Sequence, residues 1–352
     1  MTDTITPTQK KKNRLADIVK LLVFLGIGLF FIYWFLIKLE PAQKQAIWDS
    51  FAHANYFWVG AVMACCLLSH LVRALRWQLL FVPLGCRPSL NNTLGSVVVA
   101  YMANLAFPRL GEVMRCTTLR TSDDIPIEKS LGTVVTERLV DVLAFGVVVV
   151  VGLLCMYGQA REWLYSILAE KSHSLPHLAV VAVVAIAAGV AAIALYRAFR
   201  TRLLKYPLFL KVDSLITGGL DGLKSIFHLG RGPLTLFILY SVVIYLLYIL
   251  GGLIIFQAFP ETSHLGFAAA FVLYLFGSVG MTISQGGLGA YPVLVWQSLA
   301  LYGIGETTGL AVGWLLWASQ QVVVIIVGLG YLVYFSFTNK RNQNKRANSL
   351  IR

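Results

Sequence analysis

Residues 57–81 read FWVGAVMACCLLSHLVRALRWQLLF, and residues 132–156 read GTVVTERLVDVLAFGVVVVVGLLCM. At 1.5 Å per residue each run is long enough to cross a hydrocarbon core of about 30 Å. Each also carries ions where ions are costly. Arg73 and Arg76 sit near the end of the first run; Glu137, Arg138 and Asp141 sit near the start of the second. A charge at the bilayer centre costs about 2.5–3.5 kcal/mol, so such residues usually face a partner or a water-filled cavity. The two runs point to a polytopic membrane protein with a polar interior.

The composition agrees. Hydrophobic residues make up 58% of 352 and charged residues 13%, too few charges to cover a soluble domain of this length. That leaves no room for a sizeable soluble catalytic domain. The formal net charge of +13 does not signal nucleic-acid binding, because the basic residues lie in tails and loops beside apolar runs, as in a protein that faces anionic lipid. Cys65, Cys66, Cys86, Cys116 and Cys155 form no Cys-x-x-Cys, so neither a disulfide framework nor a zinc site is expected.

Spanning runs fall at about 21–37, 57–81, 132–156, 178–197, 234–258 and 309–335. The first follows a basic segment (Lys10, Lys11, Lys12, Arg14) but is long for a signal peptide and lacks a cleavage site, so it reads as an uncleaved helix. Two further apolar segments are irregular. Residues 93–107 are short and stop at Pro108; residues 266–302 are broken at Ser284-Gln285-Gly286-Gly287-Leu288-Gly289 and Pro292. Suppose both return to the side they entered. The inside then holds five Lys and Arg in the N-terminal region, five in 82–131, seven in 197–233 and five in the tail, 22 in all, against Lys38, Lys44, Arg161 and Lys171 outside. This bias predicts an inner-membrane protein with both termini cytoplasmic. One broken element enters from the inside and one from the outside. Paired interruptions of this kind point to a transporter-type site, although eight ordinary helices, two of them kinked, fit the same pattern. No internal repeat is visible.

Charged residues mark where chemistry would sit. Pro108-Arg109-Leu110-Gly111-Glu112-Val113-Met114-Arg115 reads as a turn, with Glu112 and Arg115 on one face if it becomes helical. Glu137 and Asp141 share a face, as do Arg73 and Arg76, while Arg138 points elsewhere. Both intramembrane clusters lie roughly 7–14 Å in from the cytoplasmic end. Guanidinium suits phosphate, so the expected partner is an anionic phospholipid or a polyprenyl-phosphate-linked lipid. The plainer reading is an ion pair that fixes helix packing. Gly286, Gly287 and Gly289 are expected either to present amides to an anion or to allow close packing. Gly309-x-x-x-Gly313 reads as a packing face and His70 as a packed residue. Asp123-Asp124-x-x-x-Glu128 reads as a capped helix start rather than a metal-diphosphate motif. Trp34, Trp58, Trp77 and Trp163 read as an interfacial belt. No cofactor or metal is expected, and no ATP-binding Gly-rich loop is present.

The residues Arg76-Trp77, Pro108-Arg109-x-Gly111-Glu112 and Glu137-Arg138-x-x-Asp141, in that order, resemble the lysylphosphatidylglycerol synthase transmembrane-domain family, over roughly residues 15–335. The glycine loop departs from the family's Pro-Gly-Gly-x-Gly followed by a glutamate: Gln285 precedes it and no glutamate follows before Glu306. The resemblance implies a flippase-like membrane module that binds or moves lipid. It implies no lysine transfer here, because the cytosolic transferase domain does not follow.

The expectation is therefore an all-α bundle of six full spans plus two broken or re-entrant elements, over 15–338, between basic disordered tails at 1–14 and 339–352. Arg73, Arg76, Arg109 and Arg115 would contact phosphate, and Glu112, Glu137 and Asp141 would position them, with Arg138 beside them. Two other readings are a membrane-embedded transferase acting on a lipid-linked substrate and a non-catalytic partner docking a cytosolic lipid-modifying enzyme through its basic 197–233 loop.

Overall fold

A computed structural model describes residues 54–106, 109–155 and 225–349, with a few positions between 44 and 52. The spans expected at 21–37 and 178–197, and the N-terminal tail, lie outside the described residues. The described part is helical: α1 (Tyr56–Leu79), α2 (Leu90–Ala106), α3 (Leu110–Asp123), α4 (Ile127–Cys155), α5 (Arg231–Phe256), α6 (Phe267–Ile283), α7 (Ala290–Ala300) and α8 (Glu306–Ser349). No strand occurs among these residues. Among the described residues three segments are long and apolar enough to cross a membrane: Tyr56–Leu84, Arg231–Phe256 and Glu306–Thr338. Their outward faces carry Phe57, Leu68, Ile238, Val242, Ile326 and Phe337 exposed, a pattern suited to lipid and not to water.

The chain divides into two compact units. One comprises residues 1–79, 86–125 and 231–352; the other comprises 80–85 and 126–230. In the first unit α1 and α5 pack antiparallel. The Asn55 amide donates to the Ala258 carbonyl at one end (3.2 Å), and Arg76 Nη1 donates to Ser241 Oγ towards the other (3.1 Å). The apolar core gathers Ile255, Phe256, Ala270, Val295, Leu299 and Val312 from α5 to α8.

Both irregular segments are helical hairpins. α2 and α3 have 17 and 14 residues, and α6 and α7 have 17 and 11, about 16–26 Å at 1.5 Å per residue and short of a full crossing. α2 stops before Pro108, and the chain reverses through Arg109 at φ 64°. The hairpin is tied at both ends. Asn104 Oδ1 accepts from the Gly111 amide at the tip (2.7 Å), and Asn92 Nδ2 donates to Asp123 Oδ1 at the open end (2.9 Å). Gly111 allows the approach: a Cβ there would collide with the Ala100 carbonyl oxygen.

The second hairpin turns through Ser284 in extended backbone and through Gly286, Gly287 and Gly289, at φ 62°, 76° and 77°. Non-glycine residues pay about 1–2 kcal/mol for that conformation. Pro292 falls in the first turn of α7, where its missing N–H does no harm. α7 then packs closely on α8, with Gly309 against Trp296 and Gly313 against Pro292, as the small-residue spacing predicts.

The two hairpins open at opposite ends of the unit. α2 follows the Arg76 end of α1, and α6 follows the Ala258 end of α5. Their tips meet, since Leu105 near the end of α2 lies against Gly286. Trp317 Nε1 donates to the Gly286 carbonyl (2.8 Å). Trp317 lies eleven residues, about 17 Å, along α8, well inside its apolar span. Non-helical backbone at such depth is stable when protein covers it.

In the second unit, α4 covers the stretch expected at 132–156 and is polar on its buried face. Ser130, Thr133 and Thr136 are buried and donate to the carbonyls of Pro126, just before the helix, and of Ser130 and Gly132 within it. Val135, Leu139, Val142 and Leu143 are exposed. A helix with its polar stripe covered and its apolar face outward is built for a bilayer. Lys129 Nζ donates to the Leu84 carbonyl (3.2 Å).

Two sequence expectations change. Trp77 is not in an interfacial belt: it is fully buried, with the Arg115 guanidinium 3.6 Å above its ring. Asp123 closes α3 rather than capping α4. Asp124 adopts the left-handed conformation (φ 57°) that ends α3, with the Ile125 amide returning to the Leu119 carbonyl (3.4 Å). Burial raises the Asp123 carboxyl above its ordinary range, against the lowering effect of the Asn92 bond.

Candidate functional site

The polar interior of the first unit is built on α1. Its sequence places His70, Arg73 and Arg76 at spacings of three, along one face, and all three are buried with Trp77 beside them. Arg73, Arg76 and, from α3, Arg115 are 6%, 0% and 4% exposed. Arginine tolerates this because its guanidinium is weakly hydrated and stacks on rings.

Each guanidinium has a defined setting. Arg73 Nη2 donates to the Tyr248 hydroxyl of α5 at 2.8 Å, and the guanidinium lies 5.7 Å from the Tyr101 ring centre of α2. Arg76 donates to Ser241 of α5, whose hydroxyl in turn donates to the Phe237 carbonyl (2.9 Å), and it lies 5.4 Å from the Phe237 ring centre. Ser241 and Tyr248 stand ten and seventeen residues past Arg231, about 15 and 25 Å along α5. The arginine heads therefore reach the middle heights of the bundle, deeper than their places in α1 suggest.

Around Arg73 the helices supply a tyrosine cluster. Tyr248 stacks on Tyr274 of α6 (5.8 Å, 15° between planes), and Tyr245 meets Tyr274 edge-on (6.0 Å, 84°). His70 packs on Tyr101 (4.7 Å), with its Nε2 3.7 Å from Cys66 Sγ, the packed role expected of it. Sequence reasoning missed these tyrosines. Single aromatic residues scattered over three apolar helices carry no local signal, although Tyr245 and Tyr248, three apart, do share a face.

The remaining expected site residues come from the first hairpin, from α4 and from the glycine turn. Glu112 and Arg115 do occupy one helix, α3, three apart; Glu112 is half-buried, and Arg109 at the hairpin tip is exposed. Glu137, Arg138 and Asp141 belong to the second unit, on α4. There Glu137 is 1% exposed, at the end of the Ser130–Thr133 stripe, Asp141 is half-buried and Arg138 faces outward. Gly286, Gly287 and Gly289 form a packed turn. The Gly287 amide donates to the Ser284 carbonyl (3.1 Å), and a Cβ at Gly287 would meet Met281 and Trp317.

The arrangement can hold an anion with both charge and hydroxyl donors, in a protein surrounded by lipid. Residues 18–328 match the family described as lysylphosphatidylglycerol synthase TM region. No curated protein and no solved structure matches the chain.

Proposed function

We propose, from the premise that this chain belongs to the lysylphosphatidylglycerol synthase transmembrane-region family, that it binds an anionic lipid headgroup among α1, α2, α3 and α5 and carries it across the bilayer. Family membership makes it a membrane protein linked to lipid modification or translocation. The observation that carries the finer reading is the burial of Arg73, Arg76 and Arg115 in one unit of an apolar bundle, each against an aromatic ring. Guanidinium in that setting pairs with phosphate more strongly than it does in water. Two half-span hairpins that meet at depth from opposite ends support movement, because such elements recur where a substrate site lies near the midplane. The positive-inside count supports an orientation with the Arg76 end of α1 at the cytoplasmic leaflet.

The test is reconstitution of the full chain in vesicles containing headgroup-labelled phosphatidylglycerol, with Arg73→Gln and Arg76→Gln as single variants. Folded yield and the rate of label movement are read together. Lost movement at normal yield supports the reading; normal movement in both variants overturns it. Glu137→Gln, read the same way, tests the polar stripe of the second unit separately.

A further inference from the structure

We infer that the end of α8 is a binding surface for anionic membrane lipid, read by charge and not by headgroup identity, set beside the open end of the first hairpin. α8 outlasts its apolar span. The span ends at Thr338, and the helix runs on to Ser349. The added stretch reads Asn339-Lys340-Arg341-Asn342-Gln343-Asn344-Lys345-Arg346-Ala347-Asn348-Ser349. It carries four cations, no acid and one apolar residue, Ala347. The helix leaves the bundle at a defined place. Tyr331 donates to Asn91 Oδ1 at the start of α2 (3.1 Å), and Gly95 of α2 lets the Tyr331 and Phe335 rings lie against it. Tyr331, Tyr334 and Phe335 pack on one another, with ring centres 5.5 to 6.1 Å apart. Tyr334 and Phe337 are exposed, as in an aromatic belt at headgroup level.

Distance selects the occupant. At 1.5 Å per residue Lys340 and Arg341 lie about 3–5 Å beyond Thr338, inside a headgroup layer about 5–7 Å deep. Lys345 and Arg346 lie about 11–12 Å beyond Thr338, past that layer by less than the Debye length of about 8 Å at physiological salt. A soluble partner would reach only the outer pair, and the stretch gives it little else. Ala347 alone makes no apolar face, whereas protein interfaces gather aromatic and apolar anchors at their centre. No aromatic ring is there to stack on a base. The charged positions also spread around the axis. Arg341 and Lys345, four apart, share a face, while Lys340 and Arg346 fall to either side of it. Such a spread suits a surrounding layer of phosphates more than a single docked face. Helix formation there also needs support. Like charges four apart oppose it and asparagine is a weak helix former, against a modest gain from cations at a helix C-terminus. Anionic lipid screens the repulsion, so ordering of the stretch is coupled to the charge of the lipid. On the orientation that the positive-inside count supports, this end faces the cytoplasm. Supply of anionic lipid to the first hairpin rests on the headgroup reading above; the binding itself does not.

The experiment uses the full chain in nanodiscs of three compositions: phosphatidylcholine alone, and equal parts of phosphatidylcholine with phosphatidylglycerol or with phosphatidylserine. Amide hydrogen exchange is read over residues 339–349. Exchange there is expected to be about tenfold slower, or more, in both anionic discs than in phosphatidylcholine, the effect of one or two cations held at a charged surface. Salt at about 1 M, where the Debye length is about 3 Å, should remove the difference. A variant combining Lys340→Gln, Arg341→Gln, Lys345→Gln and Arg346→Gln keeps helix propensity and should exchange alike in all three discs. Lys340→Arg with Lys345→Arg should keep the parent's difference. Arg73→Gln should keep it too, which separates this surface from the headgroup site. Equal exchange of the parent in all three discs overturns the inference, as does an undiminished difference in the quadruple variant. Protection by phosphatidylglycerol without phosphatidylserine overturns it in favour of headgroup identity. Protection that appears only when soluble polyglutamate is added to phosphatidylcholine discs overturns it in favour of an acidic protein partner. Normal lipid movement in Arg73→Gln and Arg76→Gln overturns the headgroup reading and leaves this surface standing.

Discussion

Replacing Gly111 with alanine tests the α2–α3 hairpin at its tightest point. The added methyl would fall onto the Ala100 carbonyl oxygen, a backbone atom within α2 that cannot rotate away. Relief requires the tip to open, which draws the Gly111 amide from Asn104 Oδ1, now 2.7 Å away. Overpacking of this kind costs about 1–3 kcal/mol, and a lost hydrogen bond adds about 0.5–1.5 kcal/mol. The expected cost is therefore about 2–4 kcal/mol. At about 2–4 °C per kcal/mol the thermal midpoint falls by about 4–16 °C. The assay is thermal unfolding of the full chain in detergent, followed by fluorescence-detected gel filtration. Gly60→Ala is the control: it lies in α1 with nothing near its added methyl, and alanine there is worth about 0.5–1 kcal/mol in helix propensity. Its midpoint should hold or rise slightly. A Gly111→Ala protein as stable as its parent, or a Gly60→Ala protein equally damaged, would refute the close-approach argument.

Three further outcomes are expected. Trp317→Phe removes the donor to the Gly286 carbonyl and should cost about 1–3 kcal/mol, read as a lower midpoint in the same unfolding assay. In a cysteine-free background, Arg120→Cys, exposed at the open end of the first hairpin, should react with an impermeant thiol reagent only in inside-out vesicles; Glu261→Cys, exposed near the Ala258 end, should react only in right-side-out ones. Labelling of both from one side would reject two hairpins entering from opposite faces. Arg73→Leu combined with Tyr248→Phe should fold with a midpoint within a few degrees of the parent, because apolar replacement of a buried polar pair is often neutral. Native mass spectrometry should show its anionic-lipid retention reduced about tenfold or more.

Much of the fold is legible because a bilayer imposes length and composition on whatever crosses it. The runs at 57–81, 234–258 and 309–335 become the spans Tyr56–Leu84, Arg231–Phe256 and Glu306–Thr338. The break expected after residue 106 and the one at Gly286–Gly289 become hairpin tips, where Arg109 and the glycines adopt the left-handed conformation that interrupts a helix. Arg73 and Arg76 share a face, as spacing requires. The partners are a different matter. Ser241, Tyr248 and Tyr274 lie 165 to 201 residues along the chain from the arginines, and nothing local announces that α5 will pack antiparallel on α1. Trp77 misleads for a related reason. Its place near a span end matches the interfacial pattern, and only the return of α3 over that end buries it beneath Arg115.

Energetics bear on whether the polar layer serves packing alone. Placing three guanidiniums inside the bundle costs about 8–10 kcal/mol on insertion scales, comparable to the whole net stability of a typical domain. The contacts described recover much of it. Two hydrogen bonds to a charged group are worth about 1.5–3 kcal/mol each, and three ring contacts are worth about 0.5–2 kcal/mol each. Leucine and phenylalanine at the same positions would hold α1 against α5 without the initial penalty. What an apolar layer cannot supply is a fixed positive charge with hydroxyl donors beside it, screened from water and within reach of a lipid.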